Sequence, residues 1–355
     1  MMQRIRDRFS WVGLLLWGLR IGVVVLVVWG SYNTLSSGRY TLDNWITLIV
    51  TGLAQGSIYA LLALGYSLVY GILLMINFAH GEVFMAGAFT AFFVADGFNK
   101  SGFLNEQPFL AIAVLMLVAM ATSTVIAVLL ERIAYRPLQN APRLIPLITA
   151  IGASFFLQYT FRGLYGDGFK AYPTVNALRG TLTIFGVSVP VVQIVVVVSA
   201  LLMMVALYWF VERTKTGKSM RAVSEDKEIA ALMGIDVNAV IVTAFVIGGI
   251  LAGAAGVLRG LYQPQGISFI MGFIPGLKAF TAAVLGGIGN IPGAMVGGIF
   301  LGVFESLGPN LILEGLGIPG ANQLKDAIAI VLLVMVLIFR PQGILGERLA
   351  GGTKA

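Results

Sequence analysis

The chain has 355 residues, of which 58% are hydrophobic and 11% charged, with a formal net charge of +7 and no cysteine. Together with a mean hydropathy of +0.92, this excludes a soluble fold, in which about a quarter of residues carry charge. The missing cysteines remove disulfides, thiolate nucleophiles, iron–sulfur clusters and cysteine zinc sites, and the basic excess sits in short loops between apolar runs, where positive-inside topology explains it without nucleic acid.

In chain order, apolar runs occupy Trp11 to Gly30, Trp45 to Ile72, Val83 to Ala95, Phe109 to Leu130, Leu144 to Leu164 and Val189 to Val211. Others follow at Asn238 to Leu258, at Gly276 to Phe304 with an interruption, and at Leu324 to Phe339. Each bilayer crossing takes about 20 mainly apolar residues, which predicts an all-α polytopic integral membrane protein of about eight to ten transmembrane helices, some of them broken or half-length. The first run follows Arg4, Arg6 and Arg8, has no small-residue cleavage site and continues past Arg20, so residues 1–44 read as an N-terminal extension with an uncleaved signal-anchor helix. Arg20 inside that run is costly unless it snorkels or finds a partner.

Lysine and arginine set the orientation. Arg4, Arg6 and Arg8, the loop with Arg132, Arg136 and Arg143, the segment with Arg213, Lys215, Lys218, Arg221 and Lys227, and the tail with Arg340, Arg348 and Lys354 are expected in the cytoplasm. The stretches Gly97 to Gln107 and Gly308 to Gln323 carry almost no positive charge and are expected outside. The loop with Arg162, Lys170 and Arg179 is external by parity and runs against the charge rule. A transmembrane domain over residues 45–348 and a cytoplasmic tail over 349–355 complete the division.

Two apparent nucleotide motifs fail. Gly217-Lys218-Ser219 lacks the upstream glycine of a phosphate loop, where Glu212 stands, and Gly287 and Gly289 begin a dinucleotide fingerprint that Pro292 breaks. His80 is the one histidine, so no histidine metal site is expected and no cofactor is expected on this chain.

The candidate substrate pathway is Asn77, His80, Gly81 and Glu82, where a polar cluster interrupts two apolar runs. An ionisable residue at membrane depth is a functional hypothesis by default, with His80 and Asn77 the nearest donors to Glu82 and Gly81 allowing a bend; a surface turn meeting water is the alternative. A comparable break falls at Gly286 to Gly293, with Gly287, Gly289, Pro292 and Gly293 dividing the run, so that paired interruptions suggest a duplicated half. Gly249 with Gly253 and Gly298 with Gly302 have the spacing of close helix packing. Gly217 to Gly234 reads as one short polar helix with Ala222, Ile229, Ala230 and Met233 on an apolar face and Gly234 as its stop. Such a helix either docks on a cytoplasmic partner or rests on anionic membrane lipid.

Asn77-Phe78-Ala79-His80-Gly81-Glu82, Arg221 to Gly234, Ala279 to Gly289 and the closing Arg340-Pro341-Gln342-Gly343-Ile344-Leu345-Gly346 resemble the branched-chain amino acid permease family of the LivH type, from about Trp45 to about Glu347. The resemblance implies an importer permease that pairs with a second homologous permease, receives substrate from a periplasmic or lipid-anchored binding protein, and is driven by cytoplasmic ATPase subunits that hold ATP and Mg. It implies a multi-pass location in the bacterial inner (plasma) membrane, where the charge pattern puts both termini in the cytoplasm, and a transport subunit that is not an enzyme. Within residues 212–236, Arg221, Glu225, Asp226, Glu228, Ala230, Ala231 and Gly234 are similar to the ATPase-coupling segment of importers, although the Ile-x-Leu-Pro ending of the wider motif is absent. Branched-chain or other hydrophobic amino acids are the expected substrates. Urea or short-chain amides are the alternative within the class, and a proton-coupled secondary transporter using Glu82 is the alternative outside it.

Overall fold

The computed structural model describes residues 11–139, 141–142, 144–184, 186–263, 266–340 and 342–346; the expectations for Arg4, Arg6, Arg8, Arg143, Arg348 and Lys354 lie outside them. The helices are α1 (Trp11–Ser36), α2 (Leu42–Leu73), α3 (His80–Lys100), α4 (Pro108–Leu130) and α5 (Leu144–Tyr165). A hairpin of β1 (Thr181–Ile184) and β2 (Val187–Pro190) leads to α6 (Val191–Arg213), α7 (Lys215–Glu225), α8 (Lys227–Leu232), α9 (Val237–Tyr262), α10 (Phe273–Gly286), α11 (Ile291–Gly308) and α12 (Lys325–Phe339). Among the described residues nine helices are long and apolar enough to cross a membrane. α10 has 14 residues, about 21 Å of helix, and is shorter than a bilayer core of about 30 Å.

Local chemistry sets the boundaries. Thr41, Thr214, Asp226, Asp236 and Asn290 each accept a backbone N–H of the helix they precede, satisfying donors that the first turn leaves free. Pro108 opens α4 at a position where its missing N–H costs nothing. The polar segment expected as one helix is two: Asp226 takes an extended conformation (φ −154°, ψ 115°), ends α7, and caps α8 through the N–H groups of Glu228 and Ile229. Gly234 is the stop, at φ +85°.

The helices from α2 to α5 and from α9 to α12 repeat one packing scheme. α2 packs along α11 as α9 packs along α4; α3 sits on α4 as α10 sits on α11; α2 also meets α10 as α9 meets α3, and α2 and α9 pack on each other. The expected duplication is thus visible in the arrangement of the elements. Its two main seams are built on the predicted glycine pairs. A Cβ on Gly298 would lie 2.5 Å from the Ala60 nitrogen, and one on Gly249 2.7 Å from the Thr124 Cα. Such backbone approach is what associates helices in lipid, where burial of apolar side chains gains little.

Candidate functional site

α2 ends at Leu74, a non-glycine residue in the left-handed region (φ 56°). The chain then turns back beside α2, and the His80 ring packs against Gly65 and Gly248 and edge-on to Tyr66, 5.0 Å between centroids. Gly65 lies eight residues before Leu73, so α3 starts about 12 Å along α2 from its end. The surface-turn alternative does not hold: Asn77 is 3%, His80 2% and Glu82 0% exposed. Phe273–Gly286 begins in the same neighbourhood, with Gly272 and Gly276 against Gly81. Gly81 is therefore demanded by backbone contact with a second helix rather than by a bend.

The donors to Glu82 are not those nearest in sequence. Gln158 Nε2 donates to Glu82 Oε1 at 2.7 Å and Ser154 Oγ at 3.2 Å, both from α5. Oε2 has no hydrogen-bond partner among the described residues and lies over Gly272, the residue that precedes α10. Glu82 itself is in the first turn of α3. The carboxylate thus lies near the N-terminal ends of two helices, whose dipoles favour negative charge, while neither helix donates a hydrogen bond to it among the described residues. Asn77 instead accepts the Tyr135 hydroxyl at 2.7 Å, and His80 Nε2 is unpaired among the described residues.

The second break falls between α10 and α11, with Gly287 at φ +107° and Gly289 at +91°. Pro292 lies at the start of α11, and the Gly293 N–H donates to Asn290 Oδ1 at 2.8 Å. The segment after α12 folds onto this break: the Ile344 and Leu345 N–H groups donate to the Leu285 and Gly286 carbonyls, and Asn290 Nδ2 donates to Leu345 O. A Cβ on Gly71 would lie 3.7 Å from Gly289, so the end of α2 adjoins the break as well.

A buried ionic cluster was not anticipated. Lys278 of α10 pairs with Glu305 of α11 at 2.6 Å and with Asp326 of α12 at 2.5 Å. Gln55 Nε2 donates to Tyr59 OH (2.6 Å) and Glu305 Oε1 (3.0 Å), and Lys278 Nζ reaches Tyr59 OH at 3.3 Å. The signal was present, because a lysine within an apolar run needs a carboxylate partner inside the bundle.

In the segment marked for coupling, Arg221 pairs with Glu212 at 2.7 Å, and Glu225, Asp226, Glu228 and Ala231 are exposed. Ala230 is buried, Ala222 half-buried, and Ile229 and Met233 point outward at 59% and 78% exposure beside Leu232. The predicted apolar face therefore divides, with only Ala230 fully turned inward. Partial burial holds the Lys227 ammonium below its usual range. Two clefts stand out: an apolar one of ≈ 540 Å³ lined by residues of α4 and α5, including Ile126, Leu130 and Phe156, and a polar one of ≈ 500 Å³ with Arg39, Glu314 and Asn322. Asn77, His80, Gly81 and Glu82 line neither.

The family described as "Branched-chain amino acid transport system / permease component" matches residues 48–337. The high-affinity branched-chain amino acid transport system permease protein BraD of Pseudomonas aeruginosa is 44% identical over 311 residues, covering 86% of this chain and 96% of BraD. LivH of Escherichia coli, the permease protein of a high-affinity branched-chain amino acid transport system, is 40% identical over 299 residues, covering 83% of this chain and 94% of LivH. A probable branched-chain amino acid transport permease of Methanocaldococcus jannaschii is 27% identical over 295 residues, with 82% and 89% covered.

Proposed function

The chain belongs to the branched-chain amino acid transport system permease component family, and from that membership we propose that it is the membrane-spanning permease subunit of an ATP-driven importer for branched-chain or other hydrophobic amino acids. The observation that carries this reading is identity of 40% or more with two such permeases along nearly their whole length. Permeases of this kind work with ATPase and substrate-binding subunits. Here the proposed partners are a second homologous permease, cytoplasmic ATPases holding ATP and Mg, and a periplasmic or lipid-anchored binding protein. Location in the inner membrane with both termini cytoplasmic, and the absence of catalysis in this subunit, are part of the same proposal.

Exposed Ile229 and Leu232 on α8, with Met233 just after it, support docking of an ATPase, because an exposed apolar patch at a capped helix suits a protein groove. The charges of Arg213, Lys215, Lys218 and Arg221 nearby suit the cytoplasmic side. Asn77, His80, Gly81 and Glu82 support the permease structurally, at the meeting of α3 and α10, and the path is proposed to run beside them. Uptake of labelled leucine by cells deleted for this chain, and by the same cells carrying it on a plasmid, tests the reading. Loss and recovery of leucine uptake, unaffected by excess urea or acetamide, is expected; restored uptake that urea or acetamide abolishes overturns the amino-acid assignment.

A further inference from the structure

The two fourth helices of the repeated scheme, α5 and α12, are thinly attached. α12 buries only Ala329 among its described residues, and α5 buries one stripe of Pro146, Ala150, Ser154, Leu157, Gln158 and Phe161. In lipid a narrow apolar contact holds a helix weakly, so a polar contact in the low-dielectric interior weighs heavily. Among the described residues each helix has one hydrogen-bonded or ion-paired attachment to the central helices, and in each case it comes from the second helix of its own repeat. Glu82 at the start of α3 accepts Gln158 and Ser154 of α5, and Lys278 near the start of α10 holds Asp326 of α12.

The two anchors differ in what remains when the outer helix leaves. Glu82 keeps the N-terminal ends of α3 and α10 as neighbours but loses both hydrogen bonds to Oε1, so its opening requires water to reach the carboxyl group. Lys278 stays paired with Glu305 and near Tyr59, while the Asp326 side chain, already 62% exposed, can meet water. At Lys278 the fixed half remains satisfied, so that contact can open without stranding a buried charge, which is what separates a reversible fastening from a static buried ion pair.

We propose that Glu82 and Lys278 are matched positioning residues, fastening α5 and α12 to the central helices, and that these two contacts open and re-form as the outer helices move during transport. The proposal rests on the transport reading, but its structural half is measured separately. The chain has no cysteine, so spin labels can be placed at exposed Phe156 on α5 with Val198 on α6, and at Val334 on α12 with Phe300 on α11. In the permease assembled with its ATPases in nanodiscs, Ser154→Ala with Gln158→Ala should broaden the α5–α6 distance distribution alone. Asp326→Ala should broaden the α12–α11 distribution alone, and Asp326→Glu should restore it. Each loosened variant should lower uptake per ATP hydrolysed by about fivefold or more, the lower end of coupling between distant parts of a protein. Unchanged widths, broadening of both pairs by either variant, or wild-type uptake per ATP would overturn the proposal. A wild-type assembly that takes up no amino acid with ATP would instead overturn the transport reading, leaving the widths to judge the fastening.

Discussion

Gly298 and Gly249 each face backbone of a neighbouring helix at a distance that no side chain tolerates. Gly298→Leu and Gly249→Leu should each destabilise the fold by about 1–3 kcal/mol or more, whereas Gly163→Leu, with nothing within 4 Å of its Cβ, should be tolerated. Thermal unfolding of detergent-purified protein, followed by fluorescence size-exclusion, checks the ranking. Tyr135→Phe removes the donor to buried Asn77 and should cost about 1–3 kcal/mol, the penalty of an unsatisfied buried acceptor, seen as a lower melting temperature than wild type. The glycine pairs were legible because spacing alone marks a face. The partners of Glu82 were not, because Ser154 and Gln158 lie 72 and 76 residues away, and a sequence offers only its neighbours as donors. Lys278 signals a need for a carboxylate, but its partners lie on two later helices and are not legible from its sequence neighbours.

Among the elements, α8 gives the clearest test of coupling. Replacing Ile229, Leu232 and Met233 together by serine removes exposed apolar surface while leaving the Asp226 cap and buried Ala230 in place. Insertion should be unaffected, and ATPase retention on the purified permease should fall by about tenfold, the effect of roughly 1.4 kcal/mol. Gly234→Leu forces a side chain into φ +85°, a strain of about 1–3 kcal/mol, and should reduce ATP-dependent uptake at normal membrane abundance. Retention of the ATPases and wild-type transport by both variants would remove α8 from the coupling role. The helix itself was visible in the sequence, but its division at Asp226 was not, because the run of helix-forming residues on either side masks a cap whose evidence is a backbone angle. The break at Gly287 to Gly293 was legible from glycine and proline. The chain that closes over it, Gln342 to Gly346, was marked as a motif without any sign of where it lands.

For the molecule as a whole, hydropathy gave the crossings and charge gave an orientation, yet the twofold packing scheme could only be suspected from two interruptions, since the halves share few residues. The family match begins at residue 48, while α1 packs through Gly30 on Ile312 and Gly315 and stacks Arg20 on Phe339 of α12. Removing residues 1–38 should therefore leave transport in place while lowering stability, which uptake and melting curves on the same preparation would register. The loop with Lys170 and Arg179, which precedes the hairpin, and the Lys215 segment are expected on opposite sides by the parity of the crossings. The central claim is tested most directly in proteoliposomes holding the permease pair and its ATPases, with the binding protein and labelled leucine outside. Accumulation that needs both enclosed ATP and the binding protein, and that a proton gradient alone does not produce, is the predicted result; leucine uptake driven by the proton gradient without ATP would contradict it.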